Sequence, residues 1–158
     1  MTMLSPGQAA PNFSAPATSG KTITLADYRN KYVVLYFYPK DNTPGCMQEG
    51  QDFRDLYPEF QDLNAEILGI SRDSVKSHEG FKCKLEFPFE LVSDEDEAIC
   101  TVYDVIKMKN MYGKQVRGIE RSTFLIDKTG AIAAAWRKVS VKGHAAAVLG
   151  KIRELSGG

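Results

Sequence analysis

The chain has 158 residues with 20 basic and 20 acidic side chains, so its formal net charge is zero. That balance gives no long-range pull toward nucleic acid or an anionic membrane, and no run of about 18 apolar residues exists to span a bilayer. A hydrophobic share of 43% over this length predicts one domain, residues 1–158, that buries a core without a disulfide or metal staple. The opening MTMLSPGQAAPNFS lacks the basic start and apolar stretch of a secretory signal. Three cysteines at irregular spacing make neither a disulfide framework nor a zinc pattern. The expectation is a cytoplasmic protein in which any disulfide is transient and catalytic.

In chain order, the segment up to about Asp27 is rich in Pro, Gly, Ser and Thr and reads as extended chain or a short hairpin around Ser19-Gly20. Val33 to Tyr38 is apolar without alternation and rich in β-branched and aromatic residues, which suits a strand buried on both faces of a mostly parallel sheet. Pro39 ends it. After the polar turn Lys40-Asp41-Asn42, Thr43 is suited to cap a helix and Pro44 to open it, and the helical stretch runs toward Leu63. Ala65 to Ser71 reads as a second central strand, Val75 to Leu85 as a helix, and about Asp94 to Tyr103 as another. The stretch from Met108 to Lys114 reads as a loop at the rim of a site. Strands follow at Ser122 to Ile126 and Ile132 to Trp136, joined by the turn Lys128-Thr129-Gly130. The last helix shows the strongest pattern: Val141, Ala145, Val148, Leu149, Ile152 and Leu155 fall on one face at helical spacing. Strands alternating with helices predict an α/β sandwich with a mixed sheet.

Cys46 falls in the first turn of the helix that follows the first strand. Backbone N–H groups there lack intrahelical partners and the helix dipole favours negative charge, so a thiolate, the reactive form of cysteine, is stabilised. The turn also lies beyond the carboxyl end of a central strand, where α/β proteins commonly place their sites. On position alone, a reactive thiolate and a small packing residue are equally good readings.

The surrounding residues add to this. Pro39-x-x-x-Thr43-x-x-Cys46 resembles the active-site motif of the peroxiredoxins, and the string YFYPKDNTPGC resembles their peroxiredoxin Q, or bacterioferritin comigratory protein, branch. The resemblance continues through Leu91-Val92-Ser93-Asp94 and Ile119-Glu120-Arg121-Ser122-Thr123-Phe124 and covers nearly the whole chain in order. It implies a thioredoxin-like fold: a central mixed β-sheet flanked by helices, with an N-terminal β-hairpin extension. It also implies a thiol peroxidase that reduces hydrogen peroxide and organic hydroperoxides, needs no cofactor or metal, and is recycled by thioredoxin or a similar thiol reductant. In that family Cys46 is the nucleophile that becomes a sulfenic acid. Thr43 directs its hydroxyl toward thiolate or peroxide, Pro39 shields the pocket from water, and Arg121 stabilises the thiolate and the departing oxygen. Glu49, three residues past Cys46, reads either as the group that orients Arg121 or as a solvated first-turn carboxylate.

Many members of the branch carry a resolving cysteine five residues after the first. Gln51 occupies that position here. On the wheel of the Val75–Leu85 helix, His78, Phe81 and Leu85 share one face and Cys83 projects almost opposite, between Lys82 and Lys84, which favour its thiolate. Another group in the branch places its resolving cysteine on this helix. Cys83 is therefore either the resolving thiol or an exposed bystander. A Cys46–Cys83 disulfide needs the Cα atoms within about 7 Å, so oxidation is expected to unwind the turn at Thr43-Pro44-Gly45 and the helix near Gly80. Cys100 borders an apolar face and reads as packing.

Other readings fare less well. A thioredoxin-like reductase needs Cys-x-x-Cys, and position 49 is Glu. A cysteine hydrolase needs a histidine base, and His78 and His144 read as structural or solvated. A peroxide sensor that relays oxidation to a partner uses the same Cys46 chemistry and stays open. A balanced surface with no evident apolar patch points to a monomer.

Overall fold

The computed structural model describes residues 4–157, leaving the first residues of the amino-terminal stretch and Gly158 outside it. An antiparallel hairpin of β1 (Ser14–Pro16) and β2 (Thr22–Thr24) comes first. Ser19 and Gly20 form its turn, both at positive φ (63° and 67°), as the Ser-Gly pair predicts. A short 3-10 turn, Leu25–Tyr28, leads into β3 (Tyr32–Phe37) and then α1 (Pro44–Asp62). Next come β4 (Ala65–Ser71), α2 (Val75–Leu85), β5 (Glu90–Ser93) and α3 (Ala98–Val102). The chain continues through β6 (Ile106–Met111), β7 (Lys114–Ile119), β8 (Ser122–Ile126), β9 (Ile132–Trp136) and α4 (His144–Leu155).

The main sheet has five strands in the order β5-β4-β3-β8-β9. β3, β4 and β5 run parallel, and β8 and β9 are added antiparallel, so the sheet is mixed as expected. β3 is buried along its whole length and its side chains alternate between two cores. Val34 and Tyr36 face Phe53, Phe60 and Phe81 together with Val148 and Ile152, which places α1, α2 and α4 on one side. Val33, Leu35 and Phe37 face Phe13, Ile23, Ile99 and Tyr103, which brings the N-terminal hairpin and α3 to the other. A strand with helices or hairpin on both faces has no water-facing side, hence its unbroken apolar run. Among the described residues no helix is long and apolar enough to cross a membrane.

Two elements depart from the sequence reading. The helix expected from Asp94 shrinks to Ala98–Val102, because the Asp94 carboxylate accepts the N–H groups of Ile99 and Cys100 at 3.0 and 2.7 Å and Glu97 takes a left-handed conformation (φ 64°). Asp94 is thus a capping group outside the helix. The presumed loop from Met108 to Lys114 is part of an antiparallel hairpin, β6 with β7, turned at Tyr112-Gly113 with φ of 54° and 78°. Its strands carry too many lysines to show an apolar pattern. The last helix begins at His144, as expected, with Gly143 at φ 76° marking its start, so Val141 of the apolar stripe lies just ahead of it.

Candidate active site

Thr43, in an extended conformation, is the N-cap residue of α1, and Pro44 occupies the first helical position. Pro44 has no N–H, and the first intrahelical bond runs from Met47 N–H to Thr43 O at 2.8 Å. The N–H groups of Gly45 and Cys46 therefore have no acceptor within the helix. Cys46 is 2% exposed and sits at the positive end of a 19-residue helix.

Arg121 reaches this sulfur because β8 pairs with β3. The register sets Phe37 opposite Ser122, so the residue before β8 stands beside the end of β3, where the chain turns toward α1. Arg121 Nη2 donates to Cys46 Sγ at 3.5 Å and Nη1 to Glu49 Oε1 at 2.5 Å. Gly45 leaves room for it: a Cβ there would lie 3.1 Å from Arg121 Nη2. Glu49 is buried, not solvated, with its side chain 1% exposed. Burial pushes its carboxyl up to about 7, against the opposing pull of Arg121. Its Oε2 and the Tyr36 hydroxyl are both buried without a hydrogen-bond partner among the described residues. A second cation, unnoticed in the sequence, lies close by. Lys109 on β6 is half-buried and donates to the Ile119 carbonyl, and its pKa is lowered by burial and then by the charge of Arg121. It lines an open groove of about 750 Å³ with Lys107, Met108, Glu120, Arg137 and Lys138. Met108 lines this groove, whose walls include none of Pro39, Thr43, Cys46 and Arg121, and Tyr112 at the hairpin tip is fully exposed.

Thr43 departs from expectation in one respect. Its hydroxyl does not cap α1 but donates to the Lys40 carbonyl at 2.8 Å. The proton is committed, so what Thr43 offers is an acceptor oxygen. Pro39 is half-buried just after Tyr38.

All three cysteines are free. Cys83 is exposed while His78, Phe81 and Leu85 of the same helix are buried, as the helical wheel predicts. Lys82, however, is occupied: it bonds Glu90 Oε1 at 2.9 Å and Ser19 Oγ at 3.2 Å. Cys100 is fully buried, and burial followed by its hydrogen bond to Asp94 pushes its thiol well up. His144 is buried against Phe53 and Trp136 with Nε2 2.7 Å from the Thr123 hydroxyl, and burial lowers it to about 4.

His78 belongs to a buried polar network that sequence patterning gave no sign of. Its Nδ1 lies 2.8 Å from Asp41 Oδ2 and its Nε2 3.0 Å from the Val92 carbonyl. Asp41 also accepts from Tyr38 Oη at 2.7 Å and Ser77 Oγ at 2.8 Å. Asp41, Asp73 and His78 bring ligand atoms within 4.8 Å of one another. These atoms already serve Tyr38, Ser77, Ser71, the Asp41 N–H and Val92, so the donor set is spent on internal hydrogen bonds rather than turned toward a cation.

The geometry joins a buried cysteine at a helix start, a guanidinium on its sulfur and a carboxylate holding that guanidinium. Comparison with known proteins agrees. A family model described as the AhpC/TSA family matches residues 6–135. Peroxiredoxin Bcp of Xanthomonas campestris is 56% identical over 146 residues, 91% of each chain. A solved cysteine-to-serine mutant of PrxQ from Xylella fastidiosa is similar at a TM-score of 0.93 and 48% identity, covering 99% of both chains. A bacterioferritin comigratory protein of Xanthomonas campestris, solved in trapped intermediate and ligand complexes bearing on its alkyl peroxide reduction activity, matches at a TM-score of 0.89 and 51% identity over 98% of both chains. The chain therefore belongs to the AhpC/TSA family and is a peroxiredoxin of the peroxiredoxin Q branch, a thiol peroxidase with the thioredoxin-like fold.

Proposed function

We propose that Cys46 is the peroxidatic cysteine of this enzyme, that Thr43, Pro39 and Arg121 complete its site, and that Cys83 resolves the oxidised form. The observation that carries the reading is the 3.5 Å contact between Arg121 Nη2 and Cys46 Sγ at the start of α1. In the first step the Cys46 thiolate attacks one peroxide oxygen. The S–O bond forms as the O–O bond breaks, and the departing oxygen leaves as water or an alcohol once it takes a proton. Arg121 faces the charge throughout and Glu49 orients it through Nη1. Thr43, its own proton held by Lys40, accepts the hydrogen of the hydroperoxide. Pro39 keeps bulk water from the sulfur.

In the second step the Cys83 thiolate attacks Sγ of the Cys46 sulfenic acid; the S–S bond forms as the S–O bond breaks, and the departing hydroxide takes a proton from solvent and leaves as water. The exposure of Cys83 supports this role, since the bond must later meet an external dithiol. Cys46 is buried and Cys83 is on another helix, so α1 and α2 unwind locally to join them. The reductant is a thioredoxin-type dithiol protein in the cytoplasm, a setting that three free cysteines favour. The working unit in this reading is one monomeric domain; the placing of exposed Met108 and Val116 on opposite faces of the β6–β7 hairpin supports it. Substrates are hydrogen peroxide and organic hydroperoxides, with Met108 at the groove providing apolar contact for an alkyl group.

Mass spectrometry after one equivalent of peroxide tests the assignment. A Cys46–Cys83 disulfide is the expected product. A persistent sulfenic or sulfinic acid on Cys46 would replace Cys83 by an external thiol, and an unmodified Cys46 would end the proposal.

A further inference from the structure

We propose that the buried Asp41–His78 pair is a positioning device for the peroxide reaction, holding the loop that carries Pro39 and Thr43 against the first turn of α2. The inference rests on Cys46 being the reacting sulfur.

The loop between β3 and α1 has few other anchors and contains Asn42 in the left-handed region, at φ 64°. Such a conformation persists only where its surroundings impose it. Asp41 supplies that constraint. Its carboxyl group accepts from Tyr38 and from Ser77 and is hydrogen-bonded to His78 Nδ1, the last two residues lying in the opening turns of α2. The Asp41 N–H donates to Asp73 Oδ2 at 2.9 Å, and Ser71 Oγ donates to the same oxygen at 2.5 Å. The Lys40–Asp41 peptide is therefore held at both ends: its N–H by Asp73, and its carbonyl by the Thr43 hydroxyl. Fixing that peptide fixes which way the Thr43 oxygen points.

His78 pins the assembly to the sheet. The Val92 carbonyl on β5 only accepts, so Nε2 carries a proton. Nδ1 then meets Asp41 Oδ2 at 2.8 Å across a single proton, between side chains 0% and 1% exposed. The Cys46 sulfur is hydrogen-bonded to Arg121 rather than to either residue, and both act through the backbone of the loop. A buried network that is satisfied at every member rigidifies what it joins.

The test compares Asp41→Ala, Asp41→Asn and His78→Leu in the full chain. The readouts are the single-turnover rate of Cys46 oxidation by hydrogen peroxide and, in parallel, the rate of Cys46 alkylation by iodoacetamide, which needs no Thr43 acceptor. Asp41→Ala and His78→Leu are expected to slow oxidation about tenfold or more, the scale of a misplaced positioning group, while alkylation holds or quickens. Asp41→Asn is expected to rescue most of the oxidation rate, because its amide donates to Nδ1 while Nε2 keeps its proton for Val92. Wild-type oxidation rates in Asp41→Ala, an Asp41→Asn as slow as Asp41→Ala, or a parallel fall in oxidation and alkylation would each overturn the proposal. Should His78→Leu fail to fold, the two Asp41 variants decide the matter alone. Cys46→Ser separates the two readings: peroxide turnover in that variant would remove the Cys46 assignment, whereas an inert Cys46→Ser beside an unimpaired Asp41→Ala would remove only the positioning role.

Discussion

Cys46 and Cys100 are both buried, at 2% and 0% exposure, yet their surroundings are electrostatic opposites. Cys46 opens a long helix and faces the Arg121 guanidinium. Cys100 lies in a five-residue helix and faces the Asp94 carboxylate, which joins burial in raising its thiol. Burial by itself disfavours a thiolate, so burial cannot be what makes a cysteine reactive. What differs is the sign of the nearest charge. Cys83 completes the contrast: it is exposed, with its neighbour Lys82 committed to Glu90, so the resolving role proposed for it rests on access rather than on activation.

Exchanging the residues in this comparison ranks the effects. Cys46→Ser should abolish peroxide turnover, by more than about 1,000-fold, while Cys100→Ala should stay within about twofold of the parent in a coupled peroxidase assay. Comparable losses in the two variants would break the distinction. Arg121→Gln, which removes the guanidinium and keeps an amide, should lower the rate constant for Cys46 oxidation by about 100-fold or more, as for loss of a donor aimed at developing charge. Arg121→Lys should recover only part, because one ammonium cannot hold sulfur and Glu49 in the same fork. An Arg121→Gln variant as fast as the parent would leave the helix terminus as the sole source of activation. Cys83→Ser should oxidise at the parental rate in the first turnover. Its steady-state rate with a thioredoxin system should then fall by about tenfold as sulfinic acid accumulates on Cys46.

Glu49 sharpens the comparison through stability. Its folded value of about 7 stands above the 4.5 of an ordinary Glu, so the folded protein holds an extra proton between those limits. Stability from this group is present below about pH 4.5 and is lost as pH rises through 7, on the order of 3 kcal/mol in all. Urea melts at pH 5 and pH 8 should therefore show Glu49→Gln gaining on the parent at the higher pH. Parallel curves would mean that Arg121 fully compensates the buried carboxylate. The smallest effect expected is on packing: Cys100→Ala should cost about 1 kcal/mol, the scale of a small buried cavity.

The elements that were legible are those with a local pattern. The apolar run of β3, the Thr43-Pro44 start of α1, the strands on either side of Lys128-Thr129-Gly130 and the stripe along α4 each depend on neighbours a few residues apart. β5 is only four residues long and was not foreseen, and the β6–β7 hairpin hid behind its lysines. A side chain reaching back to cap from outside, as Asp94 does, shortened α3 without leaving a periodic trace.

The sequence by itself determined that one cysteine would stand in the first turn of a helix following a central strand, because caps, proline and hydrophobic runs act over a few residues. Only the tertiary structure decided which charges meet that sulfur. Arg121 is 75 residues from Cys46 and comes to it through the β3–β8 register, and His78 is 37 residues from Asp41 and comes to it through the packing of α2. Contacts of that span are set by how strands pair and helices dock, and local propensity carries no record of either.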